Sequence, residues 1–157
     1  MPDGPRYEDD FYAWTQYQAQ VLRSMECDDE RFDRENLAEE IEARGSTELH
    51  HVWVLVRRIV THFLLLAHGP SSGSWYGWMR EVVEARIELG DKMSPSIWRL
   101  TDAELPELYH DGREVAELRL RGLGDVASAA CLPILSAYSL ADICRDEWYP
   151  PAPEEPK

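Results

Sequence analysis

The sequence predicts an all-α fold: an antiparallel helical bundle of about four main helices with short helices near the C-terminus. Three observations carry that reading. Apolar residues recur every three or four positions over long stretches, the pattern of helices with one buried face. No stretch of useful length alternates apolar and polar residues as a strand would. The connections between the stripes are short, which favours antiparallel neighbours.

The chain has 157 residues, 44% of them hydrophobic, enough for one core. A single domain over residues 1–150 is expected, followed by a disordered proline-rich tail, residues 151–157. Thirty acids face sixteen bases, for a net charge of −14. That balance excludes nucleic acid as a partner, because phosphate neutralisation needs clustered Lys and Arg. It disfavours anionic membrane surfaces as well. No unbroken apolar run reaches the length of a membrane span; the best is Ile59 to Ala67, interrupted by Thr61 and His62. The first residues lack a basic region followed by an apolar one, so no signal peptide is expected. Cys27, Cys131 and Cys144 form no metal or redox spacing and read as buried or half-buried packing residues. Together these features place the chain in the cytoplasm.

The elements follow in order. Tyr7, Phe11, Trp14, Gln18, Val21 and Met25 form the first helical stripe. A second helix covers Phe32 to Arg44, with Asp33 as its cap and Gly45 as its stop. From Ser46 a third begins, where Leu49, Val52, Val56, Ile59, Phe63 and Leu66 keep a heptad pattern to His68; it is the centre of the core. A loop with Ser71-Ser72-Gly73 leads to Ser74, the cap of a fourth helix that ends at Gly90. Ser94-Pro95 starts a short segment, a break is expected between Thr101 and Leu105, and a further helix runs from Pro106 to Arg121. Its stripe holds Leu108, Tyr109, Gly112, Val115, Ala116 and Arg119. Residues 125–133 remain unassigned, and Ser139 caps a last helix from Leu140 to about Asp146.

Several phrases then look familiar together: Tyr7-Glu8-Asp9-Asp10-Phe11-Tyr12-Ala13-Trp14, Asn36-Leu37-Ala38-Glu39-Glu40-Ile41-Glu42 with Gly45 and Glu48, and Asp146-Glu147-Trp148-Tyr149-Pro150. With His62, Ser74-Trp75 and Ser94-Pro95-Ser96 between them, the chain resembles the bacterial domain-of-unknown-function 29 family over Tyr7 to Pro150. The resemblance implies an all-helical fold and brings neither an activity nor catalytic residues. Where members carry Cys-Pro-Tyr, this chain has Ser136-Ala137-Tyr138.

Three sets of side chains could carry chemistry. Glu48-x-x-His51 and Glu107-x-x-His110 mimic the ligand pairs of di-iron bundles, but helical phase turns the second pair away from its apolar stripe. A smaller metal site among Glu40, Glu42, Glu48 and His51 has ligand types that suit zinc. The second set is a binding cleft. Gln18 interrupts an apolar stripe and, with Asn36 and Glu40, could form a polar network beside Trp14. His62, at the edge of the long apolar helix and near Trp75 and Trp78, is its own candidate for binding. No serine elbow or phosphate-cradling glycine loop is present.

These features give two readings of function. The first is a small acidic interaction or regulatory module that binds a protein partner, or a second copy of itself, through aromatic and acidic surface. The alternative is a metal-dependent hydrolase-like enzyme built on the carboxylate and histidine set. No cofactor is identified by either.

Overall fold

Apolar residues spaced for one buried face become helices wherever a partner covers that face, and in the computed structural model every regular element among the described residues, 4–70 and 74–153, is helical. Four long helices carry the fold: α1 (Phe11–Ser24), α2 (Arg34–His68), α3 (Trp75–Leu89) and α4 (Pro95–Gly122). Two short ones follow, α5 (Val126–Ala130) and α6 (Leu140–Cys144), and a 3₁₀ turn at Gly90–Lys92 closes α3. Residues 151–153 of the proline-rich tail are exposed and without secondary structure; Glu154 to Lys157 and Ser71-Ser72-Gly73 lie outside the described residues.

The chain divides into two compact units. One comprises Met1–Val52 with Asp91–Leu100, the other Trp53–Gly90 with Thr101–Lys157. In the first, Thr15 and Ala19 of α1, Ala38, Leu49 and Val52 of α2, and Ile97 of α4 are buried. Asp10 organises its helix starts: its carboxylate accepts from Ala13 N at 3.0 Å, Ser96 N at 2.8 Å and the Ser94 hydroxyl at 3.1 Å. On the surface of this unit, Arg23 grips Glu42 with two bonds of 2.6 and 2.9 Å and reaches Glu35 at 2.9 Å.

The second unit buries Val56, Ile59, Val60, Phe63 and Leu64 of α2 completely. Against them lie Trp78, Val82, Ala85 and Leu89 of α3 and Leu105, Leu108, Tyr109, Ala116 and Leu120 of α4. Phe63 also meets Tyr138 and Trp148 edge-on, with ring centres 5.2 and 5.3 Å apart. α2 is long and apolar enough to cross a membrane by length and composition; 67% of its most apolar window is buried inside the protein, the arrangement of a core helix.

Two expected helix boundaries do not exist. Gly45 carries the local signal of a helix stop, but α2 runs straight through it for 35 residues. The glycine serves packing instead: a Cβ there would lie 2.0 Å from Thr15 Oγ1 and 3.1 Å from Thr15 Cβ. Thr15 cannot easily turn away, since its hydroxyl donates to Tyr12 O at 2.7 Å. Gly45→Ala is therefore expected to destabilise the protein by about 1–3 kcal/mol, although alanine is the better helix former by about 1 kcal/mol. In chemical denaturation, Thr15→Ala on that background should recover part of the loss, a coupling of about 1 kcal/mol. The second absent boundary is Pro106, which sits inside α4. Pro106 and Asp102, whose carbonyl loses its donor, are both exposed, so water can take the bond.

The smaller expectations divide. Asp33 does accept at the start of α2, from Asn36 N at 3.3 Å. Ser139 and Asp142 form a reciprocal capping box on α6. The unassigned stretch holds α5, capped by Asp125. The cysteines are a correction: Cys27 and Cys131 are exposed, and only Cys144 is half-buried. Cys27 and Cys131 fall outside the helices, where no apolar stripe turns them inward.

Candidate functional site

The densest polar chemistry of the second unit begins with a close approach of two helices. A Cβ on Gly112 would stand 3.0 Å from Val60 Cγ1 and 3.1 Å from Arg57 O. The Thr61 hydroxyl bridges the gap, with Arg57 O at 2.9 Å and Gly112 O at 3.1 Å. Two helical turns further along α4, the same face brings Arg119 to His62.

His62 is buried rather than at the edge of its helix. Its Nδ1 lies 2.7 Å from Arg58 O, and a carbonyl can only accept, so Nδ1 carries the proton. Nε2 then holds a lone pair, which accepts from Arg119 Nη1 at 3.0 Å. Burial lowers the pKa of the ring, and the Arg119 and Arg58 charges push the same way against the backbone bond and Glu81. The neutral tautomer is thus the one the surroundings select.

The arginines around it are not equivalent. Arg58 is spent on Glu81, with Nε and Nη2 at 2.8 and 2.6 Å from Oε2, and Glu84 and Glu88 stand 3.6 Å from it. Those bonds hold the Glu81 carboxyl below its ordinary value. Arg57 and Arg119 have no carboxylate in ion-pair range among the described residues. Together these groups line a cleft of about 250 Å³, with Val54 and Val115 also in its wall.

A second feature of this unit is Arg86. It is 8% exposed and donates to Ile143 O at 2.9 Å, Asp142 O at 3.1 Å and Trp148 O at 2.9 Å. Its guanidinium lies 5.3 Å from the Phe63 ring centre and 5.2 Å from that of Tyr149. Burial lowers its pKa, opposed by Tyr149 and Asp146. Beside it, Val83, Ile87 and Tyr149 with Asp146 and Glu147 line a cleft of about 580 Å³.

The carboxylates and histidine expected to hold a metal are not brought together. Glu42 is engaged by Arg23, Glu48 by Lys92 at 2.9 Å, and Glu40 and His51 are exposed. Among the described residues no group of three or more His, Cys, Asp or Glu side chains is placed to hold a metal ion. The expected amide network does not assemble either. Asn36 is exposed and donates its amide to Asp33 at 2.6 Å, Glu40 points to solvent, and Gln18 is half-buried on α1. Trp14 packs instead with Tyr7 and Phe11, ring centres 4.9 and 6.1 Å away.

Comparison with known families settles the lineage. The profile of the domain of unknown function DUF29 matches residues 6–149. The chain belongs to the DUF29 family. A crystal structure of an α-helical protein of unknown function from Rhodospirillum rubrum is similar to this DUF29 chain, at 26% identity and a TM-score of 0.83, covering 93% of each chain. No curated protein matches it. Of the residues in this DUF29 member's cleft, His62 was legible from its apolar helix, and Arg119 from its place on the stripe with Gly112. The pairing of the two was not, because they are 57 positions apart. Arg86 falls on the same face of α3 as the buried Trp78, Val82, Ala85 and Leu89, a phase that marks it as an arginine on an apolar stripe but does not name its acceptors.

Proposed function

We propose that this DUF29 protein is a cytoplasmic interaction module, regulatory in effect, whose partner is a protein segment with an apolar face and basic flanks. The exposed face of α3 carries the reading. Tyr76, Val83 and Ile87 are 79%, 42% and 73% exposed, and with Arg80 between them they follow the four-three-four spacing of a single helix face. That face runs into the apolar cleft at Val83, Ile87 and Tyr149. Aromatic and aliphatic side chains held at the surface beside a cleft are the anchors of a helix-in-groove interface. Charge supplies the chemistry of the partner: Asp146 and Glu147 line the cleft, and the whole chain carries −14. Lys and Arg flanking an apolar stripe complement it, whereas nucleic acid and anionic membranes do not.

The test is co-purification of the full chain from its own source, run beside Ile87→Glu. A stoichiometric protein that is lost with the variant, and whose cross-linked segment is basic and amphipathic, is the expected result. A chain that elutes alone, or a partner retained by the variant, overturns the reading. A homodimer broken by Ile87→Glu overturns the choice of partner and assigns the face to a second copy.

A further inference from the structure

We infer that the cleft between α2 and α4 at His62 binds a small oxyanion, a phosphate or a carboxylate carried on no more than a short apolar group. This site is separate from the α3 face and stands whether or not that face docks a partner. Three observations converge on it. In a chain with nearly twice as many acids as bases, two guanidiniums, Arg57 and Arg119, line one cleft without a carboxylate partner among the described residues. The one acid in the wall, Glu81, is already neutralised by Arg58 at 2.6 Å. The volume of about 250 Å³ admits a phosphate or carboxylate with a few further atoms, and Val54 and Val115 offer apolar contact to those atoms.

The geometry also assigns a positioning residue. A guanidinium on a flexible stem loses rotamer freedom when it binds an anion. His62 removes part of that loss in advance, because its Nε2 lone pair holds Arg119 Nη1 at 3.0 Å and leaves the other donors of the fork available. The ring can do this only as the Nδ1–H tautomer, which the 2.7 Å bond to Arg58 O enforces. Thr61 and Gly112 fix the spacing of the two helices that carry the arginines. Forked donors of this kind match the paired oxygens of phosphate and carboxylate.

Calorimetric titration of the full chain at low salt, with inorganic phosphate in one arm and butyrate in the other, tests the assignment. Saturable one-to-one binding of at least one anion is expected, weakened about tenfold or more by Arg57→Gln and by Arg119→Gln. Arg99→Gln, a change at an exposed arginine outside the cleft, should leave it unchanged. Binding of phosphate alone assigns an inorganic or phosphoryl ligand; tighter binding of butyrate assigns a carboxylate. His62→Ala should weaken binding several-fold, and His62→Gln, whose amide oxygen can accept from Arg119, should recover part of it. Circular dichroism shows that each variant compared is folded. No binding of either anion overturns the proposal, as does equal weakening by Arg99→Gln. Failure of His62→Gln to recover any binding overturns the positioning role alone.

Discussion

Replacing Arg86 by methionine is expected to destabilise the protein by about 3–5 kcal/mol. Methionine fills most of the same volume and keeps contact with Phe63 and Tyr149, so cavity formation is a minor part of the loss. The major part is polar. Asp142 and Ile143 belong to the last turn of α6, where no backbone N–H follows to meet their carbonyls. Arg86 is the donor to both, and to Trp148 O. The chain reaches Trp148 through Glu147, whose φ of 65° is uncommon for a residue with a side chain. Removing the guanidinium leaves one buried and two part-buried acceptors unmet, at about 1–3 kcal/mol for the buried one and less for the others. Arg86→Lys should recover only a fraction, since one ammonium cannot span three carbonyls as a planar fork does. The urea midpoint measures the loss, and hydrogen exchange locates it: residues 140–149 should lose protection first. A loss below about 1 kcal/mol would show that water replaces the guanidinium without penalty.

Arg86 also shows what a single sequence conceals. Its carbonyl acceptors lie 56 to 62 positions away, and backbone carbonyls have no residue identity to read. Patterns that depend on neighbours in the chain were legible. The stripe from Leu49 to Leu66 marked the core of α2, Asp33 and Ser139 marked helix starts, and Gly112 with Arg119 lay on one predicted face. Patterns that depend on what packs against a residue were misread. Gly45 and Pro106 carry the local signals of helix ends, yet Gly45 is a contact point for Thr15, and Pro106 is exposed where water can serve its orphaned acceptor. The candidate metal set failed in the same way. Glu40, Glu42, Glu48 and His51 are close in sequence, but Arg23 and Lys92 draw two of the carboxylates into ion pairs of their own. Of the cleft at His62, the sequence offered the histidine and the arginine on separate stripes, and only the fold placed one ring nitrogen 3.0 Å from the guanidinium.

Asp10→Ala is expected to remove about 2–4 kcal/mol, because one carboxylate serves two helix starts. Its bond to Ala13 N caps α1, and its bonds to Ser96 N and the Ser94 hydroxyl secure the first turn of α4. Asp10→Asn should lose less, since a neutral amide keeps an acceptor oxygen but gives up the charge that helix N-termini favour. The pH dependence separates the two contributions. Burial by itself would raise the Asp10 pKa, but the bonds from Ala13, Ser96 and Ser94 together outweigh it and hold the carboxyl below its ordinary value. A carboxyl with a depressed folded pKa binds its proton more readily in the unfolded chain, so its contribution is full above the unfolded pKa of about 3.9. That contribution is lost as pH falls through the folded value. The gap in stability between the parent protein and Asp10→Asn should therefore be constant from neutral pH down to about pH 5 and then narrow steadily in more acid solution. Denaturation curves of the two proteins at matched pH measure the gap directly. A gap that stays constant into acid would assign the whole effect to acceptor geometry and none to the carboxylate charge.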